Sequence, residues 1–341
     1  MPLNVEQTSE CPVCHSAFQE AVMSDLDDRV LGAVDYSGQI RRCSDCGHTF
    51  LCPVLSPENL HLAYEGYYTQ RTDNLESSTH ARHDLFTVFK PYYLYRYKGV
   101  FSTRGWLVWA ASRVVPFAGF FLRRAVRFLD RPSKKRAPES HAPRLLDVGC
   151  GSGDFLMRAE CCGYESTGID IDASAIQIAR ARGLNAHVAQ LHELPGKGAY
   201  DVITLSHVIE HVRDPVQLVK DISEKLKLGG YLYLSTPNYD SAGRKTFGEH
   251  WRGLDVPRHM QFFHVQLARK ILENEGFTVE QVYDLPQSLQ IIRSSYRLKY
   301  PSGTTLSELL RSTAFLLRNG MQSKERLDVI VFKCFKPARH G

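Results

Sequence analysis

The 341-residue chain lacks the features that would assign it quickly. Its most apolar stretch, "GWLVWAASRVVPFAGFFL", is 18 residues long and is broken by Arg113 and Pro116. A spanning helix needs about 20 mostly apolar residues, and a central arginine costs several kcal/mol. The opening "MPLNVEQTSE" is polar, with no apolar core of a secretory signal. No internal repeat is present. Charge of one sign is scarce too: 42 Lys and Arg stand against 37 Asp and Glu, a net +5. That balance suits anionic ligands or surfaces but does not by itself indicate a nucleic-acid binder. A cytoplasmic protein is expected, with peripheral contact at the inner face of a membrane through residues 105–129, where Trp106, Trp109 and flanking arginines favour an interface. A buried helical lid or a dimer-forming pair is the other reading of that stretch.

What is present begins with nine cysteines. In a chain this long, four of them falling in two pairs point to metal rather than disulfides. "CPVC" supplies Cys11 and Cys14, and "CSDCGH" supplies Cys43 and Cys46. Four thiolates complete a tetrahedral structural zinc site and leave no open position. The pattern resembles a zinc ribbon, and "RVLGAVDYSGQIRRC" is expected to fill the gap as a hairpin. Free thiols or a redox pair are the alternative, and His48 and Cys52 lie close enough to substitute as ligands. Cys150, Cys161, Cys162 and Cys334 read as buried thiols.

Three segments follow: a ribbon over 1–56, an apolar helical insertion and linker over 57–140, and an α/β domain over 141–341. "DRPSKKRAPESHAPR" marks the linker by its three prolines and basic run. Beyond it, strand and helix signals alternate, as in a parallel α/β sheet. Strands are expected at 144–149, at "ESTGID", at 185–189, at "YDVITLS", at "YLYLSTP", at "FTVEQVYDL" and at "RLDVIVFKCF". Helices are expected from Asp154, over "ASAIQIARARG" closed by Gly183, over "DPVQLVKDISEKLKLGG" and over "VQLARKILENEG". About 40 residues separate the last two strands, long for a connection.

"LLDVGCGSGDFL" runs from a strand through Gly149, Gly151 and Gly153 into a helix. Glycines there let backbone N–H groups approach a ligand closely. Asp147 precedes the turn, and Asp170 closes the next strand about 20 residues on, where a carboxylate can accept ribose hydroxyls. The dinucleotide spacing G-x-G-x-x-G is missing, and Asp154 at the helix start repels phosphate. The site suits a nucleoside with a positive or zwitterionic tail, and S-adenosylmethionine is such a molecule.

These segments, with "SHVIEHVRDPVQLVKDISEKLKLGGYLYLSTPN", resemble the class I S-adenosylmethionine-dependent methyltransferases, in the branch of ubiquinone-type and sugar O-methyltransferases. The likeness covers roughly 143–285 and 327–336. It implies a seven-stranded Rossmann-like sheet whose last strand is antiparallel. It also implies cofactor contacts from Asp147, Gly149, Gly151, Gly153 and Asp170, from Ile171 against the adenine, from Gln190 and Leu191 at the adenine edge, and from Ser206 beside the methionine. Gln190 departs from the aspartate common there.

An oxygen acceptor needs its proton removed near the methyl group. His207 and His211 stand i, i+4 and share a face if their segment is helical. Related quinone enzymes carry E-x-x-E-H where this chain has H-x-x-E-H, so magnesium fits less well; Glu210 and His211 read equally as structural tethers. "GEHWRGLDVPRHMQFFH" adds His259 as a candidate base, Trp251 to stack on a sugar ring and Arg258 to hold an acid, unless Trp251 and Phe262–Phe263 are simply core. The expected enzyme methylates a hydroxyl of a sugar, surface-glycan or lipid-linked small-molecule acceptor. The alternatives are an RNA methyltransferase gripping RNA with its ribbon, disfavoured by the small net charge, and a non-catalytic cofactor-binding scaffold.

Overall fold

The computed structural model describes residues 3–64, 142–283, 285–302, 304–322 and 326–338, with isolated positions between 103 and 110. Apart from those positions, the apolar stretch 105–129 and most of the linker lie outside the described residues. No described helix is long and apolar enough to cross a membrane. The chain divides into two compact units. One holds Met1–Tyr67, Pro195–Gly198 and Thr204–Gly341, and the other Tyr68–Leu194 and Ala199–Ile203.

In the first unit, β1 (Val5–Glu6) pairs antiparallel with β5 (Val54–Leu55). β2 (Gln19–Leu26), β3 (Gly38–Cys43) and β4 (Thr49–Cys52) form an antiparallel meander, so a hairpin does lie between the cysteine pairs, but its first strand precedes "RVLGAVDYSGQIRRC", which supplies only the connection and β3. All four residues of β4 are buried, which makes it an internal strand. A helical turn, α1 (Pro57–Leu60), follows with proline at its start, where the missing N–H costs nothing.

The second unit is a parallel βαβαβ run. β6 (Arg144–Val148) reads buried at all but its first residue, as a strand covered on both faces must. α2 (Asp154–Cys161), β7 (Glu165–Asp170), α3 (Ala173–Ala181) and β8 (Ala186–Val188) follow. β6 pairs parallel with β7, and β7 with β8. Asp172 caps α3 by accepting from Ser174 and Ala175 N–H, and Gly183 at φ 79° ends the helical segment as its sequence position implies. Leu156, Ile176, Ala179 and Leu184 pack into one cluster with Cys150. Gly168 in β7 is required by that packing, because a Cβ there would lie 2.5 Å from Leu156 Cδ1 and 2.6 Å from Cys150 Sγ.

β9 (Tyr200–Ser206) spans the division, its first four residues in the second unit and its last three in the first. In the first unit come α4 (Pro215–Lys225), β10 (Leu226–Pro237), α5 (Ala242–Phe247), β11 (Gln261–Phe262), α6 (Val265–Asn274) and β12 (Thr278–Tyr283). Then α7 (Leu285–Lys299) and α8 (Thr305–Gln322) fill the long connection before β13 (Val329–Phe335). The large sheet runs β12-β13-β10-β9-β6-β7-β8, with β13 antiparallel to both neighbours. This is a seven-stranded Rossmann-like sheet whose order reverses between β6 and β9, the place where α/β sheets bind ligands.

One expected boundary is corrected. "LKLGG" was expected to continue the α4 helix, but Leu226 already begins β10. The reason is tertiary: Gly229 N–H donates to Lys336 O and Lys336 N–H to Gly230 O, so the glycine pair extends a strand instead of capping a helix. β11 also joins β4, making the small sheet four-stranded in the order β11-β4-β3-β2. The apolar cluster of this unit therefore mixes ribbon residues such as Ile40 and Leu51 with Trp251, Phe262, Ile292 and Val329.

Candidate active site

In the second unit, the turn after β6 holds Gly149, Gly151 and Gly153 all at positive φ, 72°, 52° and 87°. Gly153 is the N-cap of α2 and offers no side-chain cap, so the first N–H groups of that helix are unclaimed by a capping side chain. A Cβ on Gly151 would meet nothing within 4 Å, whereas one on Gly153 would strike Leu184 Cδ1 at 2.3 Å. The first position faces open space, and the second lets the helix seat. Asp147 is buried in β6. Asp170 Oδ2 accepts Gly151 N–H at 2.8 Å and Oδ1 accepts Asp172 N–H at 2.9 Å. Burial raises the Asp170 pKa against those two hydrogen bonds. A carboxylate has about four acceptor positions, so these bonds do not exhaust it. Ile171, the next residue, is 66% exposed. Gln190 is exposed and caps a short turn, its N–H donating to Glu193 at 2.7 Å, while Leu191 is buried. Asp154 is not a bare charge, because Arg182 Nη1 lies 2.8 Å from its carboxylate and also donates to Ser152 O.

In the first unit, the segment after β9 is not the helix that would put His207 and His211 on one face. His207 stands at φ 56° and only Ile209–His211 form a single 3₁₀ turn. A different pair results. His207 Nδ1 donates to Glu210 Oε1 at 2.9 Å, and Glu210 Oε2 accepts from Thr236 Oγ1 at 3.0 Å. Glu210 is 1% exposed. Burial pushes its carboxyl up, but the hydrogen bond and charge of His207 prevail and hold it down at about 2. A carboxylate only accepts, so Nδ1 carries the hydrogen and Nε2 is the basic nitrogen of His207. Ser206 Oγ accepts from Ser235 Oγ at 3.0 Å, and His207 N–H donates to Ser235 O at the same distance.

His211 and His259 sit deeper, their rings edge to face at 4.6 Å. His211 Nδ1 donates to Arg258 O at 3.0 Å, with Tyr64 hydroxyl 2.9 Å from the same nitrogen. His259 Nδ1 donates to Gly253 O at 2.8 Å. Burial lowers both pKa values, that of His259 to about 3, so both rings are neutral. Glu210, His211 and His259 each bring one ligand atom within 4.8 Å of the others, a geometry able to hold a metal ion.

Two sequence expectations are corrected here. Trp251 cannot be an open platform for a sugar: it is 1% exposed and its Nε1 donates to Asp328 at 2.7 Å. Arg258 cannot hold an acceptor's acid group: it is fully buried, donating to Asp28 and Asp255 and to Ala63 O. Asp28, Tyr64, Thr236 and Gln261 were not foreseen, because each acts on residues far away in sequence.

The four paired cysteines converge. Cys11 and Cys46 sulfurs lie 3.6 Å apart and Cys14 and Cys43 sulfurs 3.5 Å, with all four within 4.8 Å. A tetrahedral zinc with Zn–S bonds of about 2.3 Å puts sulfurs about 3.8 Å apart, so the donor set and its spacing fit the metal. Burial raises the Cys11 thiol to about 11. His48 and Cys52 face elsewhere, toward Gln261 and Gln7.

Residues 118–282 match the family described as "Methyltransferase domain". Over those residues the chain carries a methyltransferase domain. The chain is 34% identical over 112 residues to a protein named ubiquinone biosynthesis O-methyltransferase from Pectobacterium carotovorum, 30% of this chain and 47% of the relative. It is 37% identical over 103 residues to the protein of that name from Bordetella bronchiseptica, 28% and 43% of the two lengths. The chain thus spans less than half the length of these relatives. A solved S-adenosylmethionine-dependent methyltransferase from Archaeoglobus fulgidus is 22% identical, covering 65% of this chain and 94% of that one with a TM-score of 0.43.

Proposed function

We propose that this methyltransferase moves the methyl group of S-adenosylmethionine to a hydroxyl oxygen of a small-molecule acceptor, with His207 taking the proton. The observation that carries this is the His207–Glu210 hydrogen bond of 2.9 Å. A buried carboxylate on Nδ1 orients the ring, stabilises its protonated form and leaves Nε2 to act as the base. When bound, the cofactor supplies a methyl group on a cationic sulfur with a good leaving group, so alignment is the chain's main task. Asp170 would accept the ribose hydroxyls, Ile171 would cover one face of the adenine, Gln190 and Leu191 would border its edge, and the Gly149–Gly153 turn with Asp147 would receive the methionine end. Ser206 would lie beside the methyl. His211 and His259, buried and neutral, would support the His207 turn.

Oxygen is favoured as the acceptor atom because the curated relatives are named O-methyltransferases. Within that class, a sugar, surface glycan or lipid-linked acceptor is the narrower reading; it no longer has Trp251 or Arg258 to support it. Zinc at Cys11, Cys14, Cys43 and Cys46 would be structural, four thiolates filling its coordination. The test is transfer of labelled methyl from the cofactor into fractionated small-molecule and glycan extracts. Labelled, alkali-resistant ether products lost in His207→Gln are expected; label in RNA or at nitrogen would overturn the reading.

A further inference from the structure

We propose that Gln261 is a positioning residue that couples the four-cysteine knuckle to the His207–Glu210 pair, which makes the ribbon part of the catalytic turn's support. This rests on the reading of His207 as the base.

Gln261 is 3% exposed and its amide bonds in two directions. Its Oε1 accepts from His48 Nε2 at 2.7 Å, while its Nε2 donates to Val212 O at 3.0 Å and Arg213 O at 3.3 Å. The orientation has no alternative: a turned amide would face oxygen against two carbonyls. It follows that His48 carries its hydrogen on Nε2. Its Nδ1, buried and without a hydrogen-bond partner, is then a bare acceptor.

His48 is also part of the knuckle. Its carbonyl receives Cys43 N–H at 2.8 Å, the bond that closes the loop containing Cys46. So one residue touches the cysteine loop through its backbone and Gln261 through its ring. The main chain repeats the connection. Leu51 N–H in β4 donates to Met260 O at 2.9 Å, and Met260 N–H donates to Glu210 O at 2.8 Å. Residues 260–261 therefore bond the ribbon on one side and the 210–213 turn on the other. That turn holds the carboxylate that sets His207, whose φ of 56° is a conformation that persists only where its surroundings over-determine it.

The experiment uses the full-length protein with Gln261→Leu, which cuts both sets of bonds at similar size, and Gln261→Glu, which keeps an acceptor for His48 but opposes the two carbonyls with negative charge. Amide hydrogen exchange of residues 208–213, metal content, cofactor affinity and kcat are measured, with and without a chelator acting on the wild type. We expect both variants to keep wild-type metal content and cofactor affinity within twofold, with exchange at 208–213 at least tenfold faster and kcat at least tenfold lower. Chelation should speed the same amides in the wild type and do so less in Gln261→Leu, where the side-chain connection is cut and only the main-chain bonds remain. Unchanged exchange in whichever variant folds, or chelation acting equally on wild type and variant, would overturn the proposal. Exchange is read without cofactor or acceptor, so a failure of methyl transfer in the wild type would strike the proposed function and leave this coupling separately decided.

Discussion

Arg258 Nη2 lies 2.5 Å from Asp28 Oδ1, a pair 230 residues apart in sequence with both side chains 1% exposed or less. Asp255 takes the other side of the guanidinium, Nε to Oδ1 at 2.9 Å, and Arg252 binds the outer oxygen of Asp255 at 2.7 Å. Burial alone would raise the Asp255 pKa, but the charges of Arg252 and Arg258 hold it well below the usual carboxylate range. The network is complete as built, and removing one member leaves a buried charge exposed to an apolar surround.

Asp28→Ala is therefore expected to lower stability by about 3–5 kcal/mol, the usual result of breaking a buried pair on one side. Equilibrium urea unfolding of the full chain measures it. A loss below about 1 kcal/mol would show that Asp255 alone satisfies Arg258.

His207→Gln and Glu210→Gln are expected to lower kcat by about 10²–10⁴-fold, the usual contribution of a general base. Calorimetric affinity for S-adenosylmethionine is expected to stay within twofold in both. Loss of cofactor binding along with kcat would move these residues to a binding role.

Asp170→Asn replaces a carboxylate that accepts Gly151 and Asp172 N–H by an amide that can accept only one of them. Cofactor affinity is expected to fall at least tenfold, or about 1.4 kcal/mol, with the circular dichroism spectrum unchanged. Retained affinity would remove Asp170 from the ribose site.

Stoichiometric zinc is expected in protein purified without chelators, released when the thiols are titrated and reduced in Cys43→Ser. Elemental analysis checks this directly. Absence of any bound metal together with four reactive thiols would favour the redox reading.

Asp328 supplies a pH signature. It is fully buried; burial raises its pKa to about 7 against hydrogen bonds from Ser241 and Trp251. The folded state thus holds a proton that the unfolded chain releases near 3.8, so this group's contribution is present in full below that value and is lost as pH rises toward 7. The difference is on the order of a few kcal/mol. Asp328→Asn is expected to gain stability relative to the wild type between pH 4 and 8, measured as the change in Tm across that range. Parallel Tm curves for the two proteins would show that Asp328 ionises normally.

The glycine turn, Asp170, the order of strands and helices and the cysteine quartet were all legible because each depends on neighbours within a turn or a strand, or on pairs with a set spacing. "ESTGID" and "YDVITLS" matched β7 and β9 residue for residue. Gly168 escaped notice because its need is set by Leu156 and Cys150, which surround it only after packing. Trp251 and Arg258 were misjudged for the same reason. An aromatic and a cation beside a cofactor site look alike in sequence whether they face a ligand or close a core, and only Asp328 and Asp28 decide which.

By itself the sequence determined an α/β chain with a glycine turn after its first large-sheet strand and four thiols in two pairs, since backbone dihedrals, strand burial and pair spacing are local requirements. Tertiary structure alone decided that His207 partners Glu210 instead of aligning with His211, and that Gln261 joins the ribbon to that turn. Those contacts follow from where β11 docks on β4, and docking is set by the shape and hydrogen-bond demands of surfaces that exist only in the folded molecule.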